Sequence, residues 1–170
     1  MENISKLIRN KNKQELLNNY IEEIVIPEGV DYVGNYAFAG CAALRAVHLP
    51  ETVQEINVGA FEDCAALERI NLPKRLRIVG ARAFAGCTAL GAPDVPDFLI
   101  EASETAFGAR TAEVLLRNPA YQLRDGLLYN AEARALLFAM DKALPAVKIV
   151  NGIRIPASSG YKIIAKALFI

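Results

Sequence analysis

Three cysteines, Cys41, Cys64 and Cys87, stand 23 residues apart. A thiol can bridge, ligate a soft metal or attack as a nucleophile, and each of these uses needs its own arrangement. A disulfide framework needs an even count. An odd set at one recurring position reads instead as a single structural position filled three times, where a buried thiol packs as a small hydrophobe. Stacked thiols would lie about 5 Å apart, the spacing of neighbouring strands, so distance alone leaves oxidation open. The one histidine, His48, falls between Val47 and Leu49, at the outward position of an alternating stretch. The chain contains no HExxH, no CxxC and no glycine-rich phosphate loop. No serine sits at nucleophile-elbow spacing that would let His48 serve as its base. The inventory points away from an enzyme, and no catalytic residue, metal or cofactor is expected.

The same step governs the rest of the chain. Phenylalanine recurs at Phe38, Phe61, Phe84 and Phe107, each preceded by alanine, and proline recurs at Pro27, Pro50, Pro73 and Pro96. A fixed period between 20 and 29 residues marks a stack of similar small units. Further columns stay apolar: Val30, Val53, Leu76 and Leu99; Val33, Ile56, Val79 and Ala102; Leu44, Leu67 and Leu90. Val47-His48-Leu49 and Ile70-Asn71-Leu72 alternate with period two, so each predicts a short strand with one face inward. A second extended stretch is expected over Val53–Ile56 and its counterparts. Proline suits a strand end, because it has no N–H to give a ladder. Gly40 and Gly86 precede a cysteine in tight turns, and Asp63 takes the same place, where aspartate tolerates a left-handed backbone. One unit cannot fold alone: ordering its backbone costs about 1–2 kcal/mol per residue. Each buried apolar side chain returns about 1.5–3 kcal/mol, so stacking is required.

Cys64, Leu67, Ile70, Leu72 and Pro73, followed by Val79, Ala83 and Phe84, form a pattern that resembles the BspA-like leucine-rich repeat. The resemblance is strong over residues 24–107. Asn118-Pro119-Ala120-Tyr121 followed by Asp125-Gly126-Leu127-Leu128-Tyr129-Asn130 is similar to the hairpin interposed between such repeats, and Ile153-Arg154-Ile155-Pro156 restarts a unit. The resemblance implies the α/β leucine-rich repeat class, as a strand-rich right-handed solenoid; Arg75, where the better-known leucine-rich repeat carries asparagine or cysteine, and the proline punctuation argue against a horseshoe with long outer helices. It also implies a bacterial-type scaffold for adhesion or protein contact, with no catalytic role. The fourth unit decays: Arg110 replaces cysteine, Glu113 replaces leucine, and Pro93 interrupts the inward strand column.

The expected organisation is one solenoid domain over 1–170. Residues 1–23 form an N-terminal helical cap: Ile4, Leu7 and Ile8 fall on one face, and so do Leu16, Leu17, Tyr20 and Ile21, with Lys11-Asn12-Lys13, which carries no apolar residue, as a break between the two stretches. Four repeats fill 24–113, a hairpin-containing interruption fills 114–152, and a partial repeat fills 153–170. The apolar finish from Lys162 to Ile170 would leave an uncapped edge. A second copy of the chain is expected to cover it as a homodimer, or the chain is a piece of a longer protein. Nineteen basic and nineteen acidic residues cancel, so no net field attracts nucleic acid or an anionic membrane. No stretch approaches ~20 apolar residues, and no membrane span is expected. Nothing near Met1 reads as a secretory signal; the chain as given would be cytoplasmic, or secreted or cell-surface if a leader has been removed.

Basic residues Arg69, Lys74, Arg75, Arg77 and Arg82 crowd the third unit. They form a patch for an acidic partner or pair with neighbouring units; the column Glu28, Glu51, Lys74, Asp97 favours pairing, with Lys74 between two acids. The outward strand column Val25, His48, Asn71, Asp94, with Arg69 beside it, is the expected protein-binding surface. His48, Arg69, Asn71 and Asp94 are its candidate partner-binding residues. The alternative is a structural, self-assembling element or a fragment of a longer bacterial surface protein.

Overall fold

The computed structural model describes residues 20–124, 127–132 and 135–139. Each of the first three units contributes two short strands, and the fourth contributes one. The first strands are β1 (Glu23–Val25), β3 (Ala46–His48) and β5 (Arg69–Ile70). They make a parallel sheet in the order β1-β3-β5. The second strands are β2 (Tyr32–Val33), β4 (Glu55–Ile56), β6 (Ile78–Val79) and β7 (Glu101–Ala102). They make a parallel sheet in the order β2-β4-β6-β7. Register is kept at one full period, with Ala46 opposite Arg69 and Ile56 opposite Val79. The chain is therefore a strand-rich solenoid, and the expected strands appear within one or two residues of their places. The expected cap over 1–23 lies outside the described residues except for its last four, of which Glu23 already belongs to β1.

A third ladder runs along the phenylalanine corner. The N–H of Phe38, Phe61 and Phe84 each donates to the carbonyl of the alanine before the next phenylalanine, at 2.8, 2.8 and 2.7 Å. Those alanines, Ala60, Ala83 and Ala106, are fully buried, where a larger side chain would hold the coils apart. The close coils set the rings face to face. Phe38–Phe61, Phe61–Phe84 and Phe84–Phe107 have centroids 5.3, 5.4 and 4.9 Å apart, tilted by 10°, 7° and 9°. Leu44, Val53, Ile56, Leu67, Leu76, Val79 and Leu99 fill the rest of one continuous core.

The turn before each cysteine is left-handed in all three units: φ is 72° at Gly40, 59° at Asp63 and 78° at Gly86. Aspartate thus does what the sequence pattern asks of it. At Gly86 an added Cβ would also meet Asp63 Oδ1 at 2.1 Å. We expect Gly86→Ala to lower stability by about 1–2 kcal/mol from backbone strain, measured by urea denaturation; an unchanged midpoint would contradict the packing of this corner.

The fourth unit departs from the pattern. After Phe107 come a 3-10 turn (Gly108–Arg110) and helix α1 (Thr111–Leu116), whose Val114 and Leu115 enter the core. Strands β8 (Tyr121–Arg124), β9 (Leu127–Asn130) and β10 (Ala135–Ala139) then form an antiparallel sheet in the order β10-β9-β8. β10 lies against β7 and so covers the end of the second sheet. The expected partial repeat and apolar C-terminus at 153–170 lie outside the described residues.

Candidate functional site

The three thiols belong to the frame. None of Cys41, Cys64 and Cys87 is in a disulfide, and all three are buried. Cys64 Sγ donates to the Phe38 carbonyl at 3.0 Å, and Cys87 Sγ to that of Phe61 at 3.1 Å. The hydrogen bond with Cys64, together with burial, pushes the Cys41 thiol up. Cys64 is pushed up to about 12: its bond with Cys41 lowers it, and the bond with Cys87 and burial outweigh that. Cys41 and Cys64, held in protonated form, are weak nucleophiles, whereas the bond with Cys64 lowers Cys87 against the effect of burial.

His48, Arg69, Asn71 and Asp94 surround one depression of about 770 Å³. β3 carries His48 outward, where its Nε2 lies 2.9 Å from Glu23 Oε1 across the first sheet. β5 carries Arg69 outward, since Ile70 beside it points into the core. Asn71 Oδ1 accepts from the N–H of Leu49 at 2.8 Å, and its Nδ2 donates to the Leu49 carbonyl at 2.7 Å. Its amide thus replaces a backbone rung between the second and third coils, a commitment that column position alone did not reveal. Asp94 is exposed on the opposite wall.

The charge pattern differs from the expected pairing. Lys74 makes no ion pair among the described residues; its backbone N–H donates to Glu51 Oε2 at 3.2 Å, and Asp97 accepts instead from Asn118 Nδ2. A column fixes where Cα atoms lie, and the long lysine side chain is free to turn outward. The pairs that do form between coils are Arg45–Glu68 at 2.7 Å, Arg82–Glu62 and His48–Glu23. Of the third unit's basic residues only Arg82 is paired among the described residues; Arg69, Lys74, Arg75 and Arg77 are exposed without an ion pair.

The depression exists because the first sheet stops early. The chain at 91–96 runs beside β5 without pairing to it. Ala89 N–H still bonds to the Ala65 carbonyl, and Ile100 N–H to that of Arg77. Between these two anchors the fourth coil makes no backbone bond to the third among the described residues. Pro93 forces its own φ and restricts Ala92. Asp94 stands in the Asn71 column and has no donor for the Leu72 carbonyl, so the side-chain rung cannot repeat.

Side chains from the end of the fourth unit and from beyond it tie this coil down from the other side. Arg110 Nη2 donates to the Leu90 carbonyl at 2.9 Å, and Asn118 Nδ2 to that of Val95 at 2.7 Å. Tyr121 Oη donates to the Pro96 carbonyl. Asn130, fully buried, donates from Nδ2 to the carbonyls of Asp97 and Leu99 at 2.8 and 3.0 Å. The repeat pattern marks none of these four as a frame residue. The available signal was that the carbonyls of a coil with no following repeat need donors from somewhere.

Among the described residues no group of histidine, cysteine and acidic side chains is arranged to hold a metal ion. No helix among them is long and apolar enough to cross a membrane.

A model of the BspA type leucine rich repeat region matches residues 12–116 in six copies. No curated protein matches the chain. Among solved structures, a leucine-rich repeat protein from Bacteroides ovatus is 32% identical, with a TM-score of 0.47, over 51% of this chain and 25% of that one. A leucine rich repeat protein of T. pallidum is 34% identical, with a TM-score of 0.47, over 49% of this chain and 42% of that one. A leucine rich cell surface protein from Faecalibacterium prausnitzii is 34% identical, with a TM-score of 0.49, over 51% of this chain and 23% of that one. The chain thus spans less than half the length of each of these proteins.

Proposed function

The chain belongs to the BspA-type leucine-rich repeat family, and from that membership we propose that it is a non-catalytic scaffold that captures a protein partner on the first sheet. The observation that carries the proposal is the gathering of His48, Arg69, Asn71 and Asp94 around one depression. Repeat frames suit such a role, because inward columns hold the coils while outward columns vary freely. Arg69 adds a rigidly based guanidinium with no ion pair among the described residues, and arginine is enriched among residues that dominate binding. Asn71 supports the surface from within the frame and is left unaltered in the test.

Immobilised protein and a variant with His48, Arg69 and Asp94 all replaced by alanine are compared for capture of partners from bacterial and host lysates. These three side chains are exposed, so the variant keeps the wild-type circular dichroism spectrum and urea midpoint. Capture is expected to fall about tenfold or more, as for the loss of a central arginine anchor. Equal capture by the two proteins overturns the site.

A further inference from the structure

We propose that the open edge of β5 is a docking slot for one extended acidic peptide segment, which enters as the missing fourth strand of the first sheet. The proposal rests on the scaffold reading and names the chemistry of its partner.

In a parallel ladder the N–H and C=O of successive residues point to opposite neighbours. Arg69 donates to the Arg45 carbonyl at 3.1 Å, which places its amide toward β3. The N–H and C=O of Ile70 therefore face away from β3, with the Glu68 carbonyl and the Leu72 N–H beside them. None of these four groups has a partner among the described residues. Ile70 itself is buried at 9% exposure, and a buried residue rarely leaves both backbone groups unpaired. The equivalent groups of Val47 are engaged by β5. At the end of the second sheet the corresponding edge is covered by β10. One edge of the stack is thus closed and the other open, with a depression of about 770 Å³ where the absent strand would lie.

The shape selects a single extended segment. The depression runs over the outward face of the first sheet, from Glu23 and Ala46–His48 to 68–72, and beyond β5 it is bounded by 90–94 of the same chain. The edge of a second folded solenoid cannot enter between two walls of the same chain, whereas one strand, spaced about 4.8 Å from its neighbour, can. Such a strand alternates its side chains. Those facing inward meet Ile70, Leu72 and Leu90, and call for apolar residues.

The outward side chains meet charge. The acids of the first sheet that line the depression are already engaged, Glu68 beside β5 by Arg45 and Glu23 on β1 by His48. Arg69 remains, and Lys74 and Arg75 lie just beyond the strand end, none of them in an ion pair among the described residues. Asp94 on the far wall repels an acid from that side and turns it toward Arg69. Alternating acidic and apolar residues satisfy both faces, and main-chain bonds to Glu68, Ile70 and Leu72 supply the affinity.

The probe is a fluorescent, N-acetylated hexapeptide of alternating glutamate and valine, read by anisotropy and by amide exchange of the protein. Three results are expected. In the free protein the Ile70 amide exchanges much faster than that of Val47. Saturating peptide slows the Ile70 amide about tenfold or more. Methylating alternate peptide nitrogens, or Arg69→Glu, weakens binding about tenfold or more. An Ile70 amide already protected in dilute free protein overturns the slot. Protection that grows with protein concentration alone overturns the peptide in favour of a second copy. Equal binding of the N-methylated peptide, or of an alternating lysine–valine peptide, overturns strand pairing or the acidic partner respectively. No binding at millimolar peptide overturns the proposal. Any of these results, beside lost lysate capture by the triple-alanine variant, leaves the scaffold function standing and removes only the docking mode.

Discussion

Replacing Phe61 by alanine is expected to destabilise the protein by about 3–5 kcal/mol, the cost of emptying a fully packed aromatic site. Phe61 is fully buried and is the second of four stacked rings, in contact with Phe38 on one side and Phe84 on the other. Alanine removes both stacking contacts at once. The backbone around it cannot collapse into the space, because the N–H of Phe61 bonds to the Ala83 carbonyl and its carbonyl accepts from Cys87 Sγ. A loss of this size is a large part of the total stability of a domain, which is about 5–15 kcal/mol. Each coil rests on its neighbours, so the loss should appear across the stack. Urea denaturation followed by circular dichroism checks this, with Phe61→Leu as a milder companion. A Phe61→Ala loss below about 1 kcal/mol would mean that the rings do not carry the stack.

The second large effect is expected at the other end of the described stack. Asn130→Leu keeps similar bulk but removes both donors that reach the carbonyls of Asp97 and Leu99. A buried acceptor left without a donor costs about 1–3 kcal/mol, so a loss of about 2–6 kcal/mol is expected for the pair. Asn130→Asp should be worse, since a carboxylate would face two carbonyl oxygens without a proton to share. Faster amide exchange in β7, β9 and β10 before global unfolding is expected to accompany the loss, because Asn130 joins the antiparallel sheet to the fourth coil. Wild-type stability of both variants would show that the sheet is held on by its apolar contacts alone. Tyr121 acts beside it: burial pushes its phenol up, so the proton given to the Pro96 carbonyl is retained.

The solenoid was legible in the sequence for a physical reason. When a chain coils with a constant period, equal residues come to lie over one another, and only side chains that fit their own copies can recur. Phe38, Phe61, Phe84 and Phe107, the alanines before them and the three cysteines are such residues. Even Asp63 in a glycine position could be read, because few residue types tolerate a positive φ. The periodic part of the candidate surface, with His48 and Arg69 outward and Ile70 inward, comes from the same alternation. Periodicity ceased to inform where the chain stopped repeating. That Asn71 spends its amide on Leu49, that Lys74 leaves Glu51 to its own backbone N–H, and that Arg110, Asn118, Tyr121 and Asn130 close the fourth coil were decided in three dimensions. These are single contacts, some more than thirty residues apart in the chain, and they depend on where the antiparallel sheet docks. Pro93 announced that the inward column would break. Only the tertiary structure decided that the break leaves β5 with an open edge, because whether an edge stays open depends on what else packs against it.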